Sequence, residues 1–301
     1  PPLRRGHPPD GAGRVRSPLG RVVAYGRMIR FPHSVFALPF ALTATVLAAR
    51  EGGITGGQVF WIVVAMVAAR SAAMGFNRLV DHAIDARNPR TASRERPRGV
   101  LSRGEVLAFV ALSSAVFVLA AWMLNPLCFA LSPVALAIVF GYSYTKRLTS
   151  ASHLVLGLAL AVAPVGAWLA VRGRFDVVPL VLALAVLLWV AGFDTIYACQ
   201  DAEFDRGEGL HSLPARLGVA RALSLARAMH GLTVLLLVLL YWLAALHPFY
   251  LVGVAGVAAL LAWEHSLVRP HDLSRVMQAF NLNGWVSLGY LVTTAVAVWL
   301  G

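Results

Sequence analysis

One polar pattern occurs twice in an otherwise apolar sequence. In each copy a polar residue is followed by two aspartates at four-residue spacing: Asn77, Asp81 and Asp85, then Tyr197, Asp201 and Asp205. Residues i, i+4 and i+8 of a helix lie within about 80° of one another, so each copy forms one polar stripe. Carboxylates at this spacing suit Mg²⁺, a cation that keeps several waters and also binds phosphate oxygens. Two facing stripes therefore predict an acidic cage for Mg²⁺ and a phosphorylated substrate.

Two further charged residues lie deeper on the same helical faces. Arg70 precedes Asn77 by seven residues, and Asp194 precedes Asp201 by the same interval. Because seven residues make about two helical turns, each side chain points to the same side as the stripe that follows it. A guanidinium group inside an apolar span needs a partner. We therefore expect Arg70 to contact Asp194 across the floor of a shared cavity.

Basic residues that suit phosphate binding lie close to the stripes. Arg90 and Arg94 follow the first stripe, and guanidinium groups form paired hydrogen bonds with phosphate oxygens. Lys146 is the only lysine among the 26 Lys and Arg residues, and its compact ammonium group also suits a phosphate. The sequence thus provides carboxylates for a cation and cations for an anionic substrate.

The composition places these residues in a membrane protein. Hydrophobic residues make up 58% of the chain and charged residues 13%, with a mean hydropathy of +0.71, whereas about 25% of a typical soluble domain is charged. The apolar runs are continuous rather than alternating, which favours an all-α, multi-pass membrane protein over a β-barrel. The nine predicted transmembrane helices lie near residues 34–50, 58–76, 105–124, 127–144, 152–171, 177–199, 222–246, 248–266 and 280–300.

The distribution of positive charge predicts the orientation in the membrane. Nearly all of the Lys and Arg residues lie in the N-terminal segment and in the loops after the second, fourth, sixth and eighth predicted helices, whereas the opposite side has Arg50, Arg172 and Arg174. By the positive-inside rule, the N-terminus is cytoplasmic, the C-terminus is outside and both stripes lie at the cytoplasmic face. This topology accounts for the net charge of +12. We therefore expect membrane lipid, and no nucleic acid, as a partner.

The N-terminal segment differs from the rest of the chain. Residues 1–24 are rich in Pro, Gly and Arg and have no long apolar run. We expect them to form a flexible basic cytoplasmic tail and not a signal peptide, and residues 25–301 to form a single nine-helix domain. Cys128 and Cys199 fall in predicted spans, and their number and spacing fit neither a disulfide framework nor a metal site.

Three segments of the chain resemble the signatures of a known family. Residues 77–85 (NRLVDHAID), 88–94 (NPRTASR) and 194–205 (DTIYACQDAEFD) are similar to the two motifs of the UbiA superfamily of intramembrane prenyltransferases. Within that superfamily the resemblance is to the branch that prenylates 4-hydroxybenzoate, and it covers nearly the whole chain after the tail. Arg78 departs from the pattern, because many members have an aspartate directly after the asparagine of the first motif.

The resemblance implies nine helices around a central cavity that opens to the cytoplasmic side and to lipid. It also implies a polyprenyl diphosphate donor and two Mg²⁺ ions. Four carboxylates would hold these ions and act in catalysis: Asp81, Asp85, Asp201 and Asp205. Arg90, Arg94 and Lys146 would bind the diphosphate, with Arg70 and Asn77 also in the substrate site.

The expected reaction is Mg²⁺-dependent transfer of an isoprenyl chain to an aromatic acid, a step of ubiquinone biosynthesis in the bacterial cytoplasmic (inner) membrane. Asp194 and Tyr197 are catalytic candidates, either for orienting the acceptor or for assisting its proton loss. Arg30 and His33, at the cytoplasmic end of the first predicted helix, are candidates for binding the acceptor. The alternative interpretation of His33 is a residue at the membrane–water interface with no role in binding.

Two alternatives stay open at this point. The Asn88-Pro-Arg-Thr segment also resembles members that act on a dihydroxynaphthoate, and 1,4-dihydroxy-6-naphthoate as acceptor would place the reaction in menaquinone biosynthesis. A secondary transporter also has charged residues in its membrane helices. Its sites tend to lie at the bilayer midplane, at broken helices, whereas these stripes lie at one membrane face.

Overall fold

The computed structural model describes residues 18–28, 38–50, 52–94 and 100–301. The α-helices in this part of the chain, in agreement with the predicted all-α fold, are α1 (Pro18–Met28), α2 (Leu38–Ala49), α3 (Gly56–Val80), α4 (His82–Arg87), α5 (Arg103–Leu124), α6 (Pro126–Thr145), α7 (Ser152–Arg172), α8 (Val177–Ala198), α9 (Ala202–Gly207), α10 (Leu213–Leu217), α11 (Val219–Leu243), α12 (Tyr250–Leu267) and α13 (Val276–Leu300). A 3₁₀ turn, Cys199–Asp201, joins α8 to α9.

The long helices in the described part of the chain correspond to eight of the nine predicted transmembrane helices. Within the described residues, eight helices are long and apolar enough to cross a membrane: α3, α5, α6, α7, α8, α11, α12 and α13. The ninth, α2, is apolar but has only 12 residues, and residues 34–37 of its predicted range lie outside the described residues. A helix that spans the hydrocarbon core requires about 20 residues, a length that α2 does not reach. The eight long apolar helices make the chain an integral membrane protein.

The N-terminal boundary falls differently from the prediction. The predicted tail ends at residue 24, which lies inside α1, while residues 1–17 lie outside the described residues. Ala24 and Met28 of α1 are buried in one cluster with Val106 and Val110 of α5. The end of α1 is therefore part of the folded bundle, because two of its apolar residues are removed from solvent there.

Both stripes cross a helix break, which the spacing alone did not predict. α3 ends at Val80 and α4 begins after Asp81, whose ψ angle of 6° interrupts the regular helix. Main-chain hydrogen bonds of the helical i to i−4 type nevertheless continue, from Asp81 to Asn77 at 2.8 Å and from Asp85 to Asp81 at 2.7 Å. The second stripe begins in α8, passes through the 3₁₀ turn and ends in α9. Each stripe therefore keeps its face across the break.

Close packing fixes the position of α8, the helix that carries the second stripe. α8 lies along both α7 and α11. A side chain at Gly157 of α7 would collide with the main-chain carbonyl of Leu187, and one at Gly192 would collide with the imidazole of His230 in α11. Small residues permit such close approach between membrane helices. On a third side, Trp189 Nε1 donates a hydrogen bond to Asn283 Oδ1 of α13 at 2.7 Å.

Candidate active site

A cavity of about 680 Å³ lies between α3, α6, α7 and α8. The helix ends that carry the two stripes form its polar end, and Ile62, Leu124 and Phe175 line it toward the opposite ends of the helices. Most of the wall between these ends is apolar. A cavity of this shape can hold an elongated apolar molecule with a charged head at the acidic end.

The structure brings most of the predicted site residues together at this cavity. Those that line it are Arg70, Asn77, Asp81, Asp85, Arg90, Arg94, Lys146, Asp194, Tyr197, Asp201 and Asp205. The remaining two, Arg30 and His33, lie outside the described residues.

In the first stripe, each carboxylate is already bound by a cation. Arg94 Nη1 lies 2.6 and 2.8 Å from the two oxygens of Asp85. Arg147, just after α6, donates to Asp81 Oδ1 at 3.0 Å, and Asn77 Nδ2 donates to Asp81 Oδ2 at 2.8 Å. Burial raises the pKa of Asp81 above its ordinary value, although Arg147 opposes the shift. The stripe thus forms a network of charge-assisted hydrogen bonds.

In the second stripe, Asp201 receives the guanidinium group of Arg90. Arg90 Nε donates to Asp201 Oδ1 at 2.9 Å, and Arg90 Nη2 donates to Asp201 Oδ2. The Arg90 Nη1 group also donates to the hydroxyl of Tyr197 at 2.6 Å, and Asn88 Nδ2 donates to Asp201 Oδ1 at 3.1 Å. Since Asn88 and Arg90 follow the first stripe in the sequence, these contacts join the two motifs.

Asp205 differs from the other three carboxylates of the stripes. It is buried, and its Oδ2 atom has no hydrogen-bond partner among the described residues. The Nε atom of Arg94 is likewise buried without an acceptor there. Buried polar atoms are nearly always satisfied in folded proteins. An unpaired oxygen and an unpaired N–H at one cavity fit a cation and an anion, respectively.

The predicted acidic cage for Mg²⁺ stays a prediction, and in this structure arginine side chains pair with three of its four carboxylates. Within the described part of the chain, no three His, Cys, Asp or Glu side chains come together as a group that could hold a metal ion. Asp81, Asp85 and Asp201 instead each face an arginine. The physical reason is charge balance: a partly buried carboxylate is costly unless an opposite charge is near, and the intervening segments supply that charge.

Asp194 has a different partner from the predicted one. We expected Arg70, but Asp194 Oδ2 lies 2.7 Å from Nδ1 of His153, a fully buried residue near the start of α7. Arg70 and Asp194 both line the cavity. Sequence reasoning missed His153, because nothing in its local spacing indicates that α7 places it beside α8.

Arg78 is a second residue whose role in the site the sequence analysis did not identify. It is buried, and its Nη1 atom lies 3.5 Å from Asp85 Oδ2. Its Nε atom donates to the main-chain carbonyl of Met28 in α1 at 3.4 Å. Arginine at position 78, where many family members have aspartate, therefore adds a cation that connects the first stripe to α1. The position of Arg78 inside the first motif was the sequence signal that could have indicated this role.

Three comparisons with known proteins agree with this architecture. The model of the UbiA prenyltransferase family matches residues 37–288. A relative named 4-hydroxybenzoate octaprenyltransferase, from Tolumonas auensis, is 32% identical over 219 residues, covering 73% of this chain and 76% of the relative. The apo structure of a UbiA homolog from Aeropyrum pernix K1 superposes with a TM-score of 0.81 at 35% identity, covering 88% of this chain and 98% of the homolog.

A more distant solved structure shares the fold. It is that of a UbiA homolog from Archaeoglobus fulgidus bound to GPP and Mg²⁺, with a TM-score of 0.69 at 19% identity. The alignment covers 91% of this chain and 99% of the homolog.

Proposed function

The chain belongs to the UbiA prenyltransferase family, and on this basis we propose that it transfers a polyprenyl chain from its diphosphate to an aromatic acid of the 4-hydroxybenzoate type in quinone biosynthesis. The observation that carries the proposal is the long apolar cavity with paired carboxylates and guanidinium groups at one end. The apolar part suits the polyprenyl chain, and the polar end suits the diphosphate.

The arginines at the polar end bind the diphosphate in this proposal. Arg94 has a buried Nε–H that finds no acceptor among the described residues, and the planar guanidinium group of Arg90 is hydrogen-bonded to Asp201. Phosphate oxygens can replace that carboxylate, because a guanidinium group binds both in the same paired geometry. Lys146, at the end of α6, lines the same end of the cavity and adds a third positive charge.

The carboxylates fit Mg²⁺, and we propose two ions. The residues that would hold them are Asp81, Asp85, Asp201 and Asp205. The unpaired Oδ2 of Asp205 and the all-oxygen donor set support this assignment, as does the presence of Mg²⁺ with GPP in the Archaeoglobus fulgidus homolog. When bound, Mg²⁺ stabilises the negative charge on the departing diphosphate.

The remaining residues shape the reaction of the allylic carbon. As the bond to the diphosphate oxygen breaks, this carbon becomes electron-deficient, and the apolar wall excludes water that would otherwise trap it. An electron-rich ring carbon ortho to the acceptor's hydroxyl group then forms the new bond. Asp194 and the hydroxyl group of Tyr197 face this region from α8, and they orient the acceptor and assist its loss of a proton.

We place the protein in a bacterial cytoplasmic membrane with its N-terminus in the cytoplasm and its C-terminus outside. The support is the distribution of Lys and Arg along the chain. In that orientation the polar end of the cavity opens toward the cytoplasm, the compartment that supplies a water-soluble aromatic acid.

Transfer of a labelled chain tests the proposed reaction. The full chain, purified in detergent, is incubated with radiolabelled geranyl diphosphate and either 4-hydroxybenzoate or 1,4-dihydroxy-6-naphthoate. We expect a prenylated 4-hydroxybenzoate that forms with Mg²⁺ and not with EDTA. Product from the naphthoate alone would reassign the acceptor, and the absence of product from both would contradict the proposed function.

A further inference from the structure

His153 is a fully buried titratable residue at the wall of the active site. It lies one residue inside α7, and its ring is held on both sides. Nδ1 lies 2.7 Å from Asp194 Oδ2, and the main-chain N–H of Leu213, the first residue of α10, points at Nε2 from 3.3 Å. A buried histidine with two such defined partners has a fixed orientation.

These two partners determine which nitrogen of His153 carries the proton. A main-chain N–H can only donate, so Nε2 must accept and cannot itself carry a proton. The proton of the neutral ring is then on Nδ1, which donates it to Asp194 Oδ2. The ring of His153 therefore fixes the orientation of the Asp194 carboxylate through this hydrogen bond.

Asp194 faces the cavity, whereas His153 does not. The Asp194 side chain keeps 22% of its surface exposed and lines the cavity, while the His153 side chain has 0% exposed. His153 binds Oδ2, so Oδ1 is the oxygen that Asp194 can offer to a ligand. His153 can influence a reaction in the cavity only through Asp194.

We propose that His153 is a positioning residue that fixes the Asp194 carboxylate so that its Oδ1 accepts the phenolic proton of the aromatic acceptor. This inference rests on the proposed prenyl transfer. Removal of that proton makes the ortho ring carbon more nucleophilic, which aids attack on the electron-deficient allylic carbon. A general base at such a position typically contributes about 10²- to 10⁴-fold to the rate.

The proton balance closes without another reactant. The phenolic O–H proton moves to Asp194 Oδ1 as the new carbon–carbon bond forms, and the electron pair of the broken carbon–oxygen bond leaves with the diphosphate. The attacked ring carbon then loses its proton to the departing diphosphate. The ring regains its aromaticity, and its oxygen takes back the proton from Asp194, which returns to the carboxylate form.

The contact with α10 gives His153 a rigid support. Ser212, which is fully buried, caps α10 through a hydrogen bond from the main-chain N–H of Ala215 at 3.3 Å. Ser152, the neighbour of His153, donates to the main-chain carbonyl of His211 at 3.4 Å. The start of α7 therefore has a second contact with the segment that follows the second stripe, made by Ser152 and separate from the contacts of the His153 ring.

Two substitutions separate the hydrogen bond to Asp194 from mere filling of space. His153→Leu keeps the approximate volume but has no donor, whereas His153→Asn keeps a donor near the position of Nδ1. We expect His153→Leu to lower kcat by at least about tenfold with the KM for the donor diphosphate within about twofold of wild type. His153→Asn is expected to restore most of the lost kcat.

Ser152→Ala provides the matched control, because it loosens the contact between α7 and the segment before α10 and leaves the His153–Asp194 bond in place. Its kcat is expected to stay near wild type. Equal kcat for His153→Leu and His153→Asn, or a loss in Ser152→Ala as large as that in His153→Leu, would overturn the proposal. Inactivity of the wild-type chain with every acceptor would instead refute the prenyl-transfer function, so the two failures are distinguishable.

Discussion

The two acidic stripes have the same spacing in the sequence, yet they are neutralised in different ways. In the first stripe, Asp85 is bound by Arg94 and Arg78, which both come from the same motif segment. In the second stripe, Asp201 is bound by Arg90, which lies 111 residues earlier in the chain. The positive charge that neutralises Asp201 therefore comes from the segment that follows the first stripe.

The basic residues beside the second stripe explain this asymmetry. Arg206 binds the main-chain carbonyl of Ala215, and Arg216 binds the hydroxyl group of Ser150. Both stabilise local structure, and one oxygen of Asp205 has no hydrogen-bond partner in the part of the chain that the structure describes. We infer that the first segment mainly supplies cations for the diphosphate and that the second mainly supplies oxygens for Mg²⁺.

The largest effect is expected at Asp205. Asp205→Asn removes the negative charge of the carboxylate that is least committed to a protein partner, so we expect turnover to fall by at least about a hundredfold. Prenyl transfer measured over a range of Mg²⁺ concentrations checks this. Glu203→Gln, an exposed change in the same helix α9, is the matched control and is expected to be near wild type. Near wild-type turnover of Asp205→Asn would remove the distinction between the stripes.

A smaller effect is expected at Arg90, the residue that joins the stripes. Arg90→Ala is expected to raise the KM for the donor diphosphate by about tenfold, and more than the KM for the acceptor, because a charge-assisted contact to phosphate is lost. Arg90→Lys is expected to restore little, since lysine lacks the planar fork. Steady-state kinetics with each substrate varied separately measures both constants.

Arg87→Ala is the control for Arg90. Arg87 lies three residues away, is more than half exposed and binds Glu208 at the surface. Its removal is expected to change neither KM. A defect confined to the acceptor in Arg90→Ala would place Arg90 at the aromatic substrate and contradict its assignment to the diphosphate.

Arg78 is expected to affect stability more than turnover. Arg78→Ala removes the link between Asp85 and α1, while Arg94 still neutralises Asp85. We expect the melting temperature in detergent to fall by about 3 °C and kcat to change by less than about fivefold. The exposed Arg103, in the first turn of α5, provides a control through Arg103→Ala. A loss of turnover as large as that of Asp205→Asn would show that Arg78 takes part in the reaction.

Single-cysteine variants test whether both stripes face the same compartment. Of the changes considered, these are expected to affect activity least. In a chain with Cys128 and Cys199 replaced by alanine, Ser93→Cys and Glu203→Cys report on the two motifs, and His247→Cys reports on the opposite side. An impermeant thiol reagent applied to intact cells is expected to label only the cysteine at position 247. Labelling at only one of the two motif positions would show that the two stripes face different compartments, which would contradict a shared site.

The sequence predicted the helices and the gathering of the candidate site residues at one end of the helices, because both depend on local patterns. Continuous apolar runs determine which segments span the membrane, and four-residue spacing determines which residues share a face. The break at Asp81 escaped prediction, since the helical main-chain hydrogen bonds continue through it.

The partners of the site residues could not be predicted in this way. The contact between His153 and Asp194 depends on how closely α7 approaches α8, which Gly157 permits through long-range packing. The role of Arg78 depends on where α1 ends, because the carbonyl of Met28 accepts its hydrogen bond. Spacing within one segment contains neither kind of information.

The most direct test is an experimental structure of the full chain with Mg²⁺ and geranyl S-thiolodiphosphate, a donor analogue that is not readily cleaved. We predict Mg²⁺ bound to aspartates of both stripes, Asp205 among them. The diphosphate is expected to lie on Arg94 and on Arg90, with Arg90 moved away from Asp201. A diphosphate bound elsewhere, or Arg90 still paired with Asp201 while the donor is bound, would contradict the account.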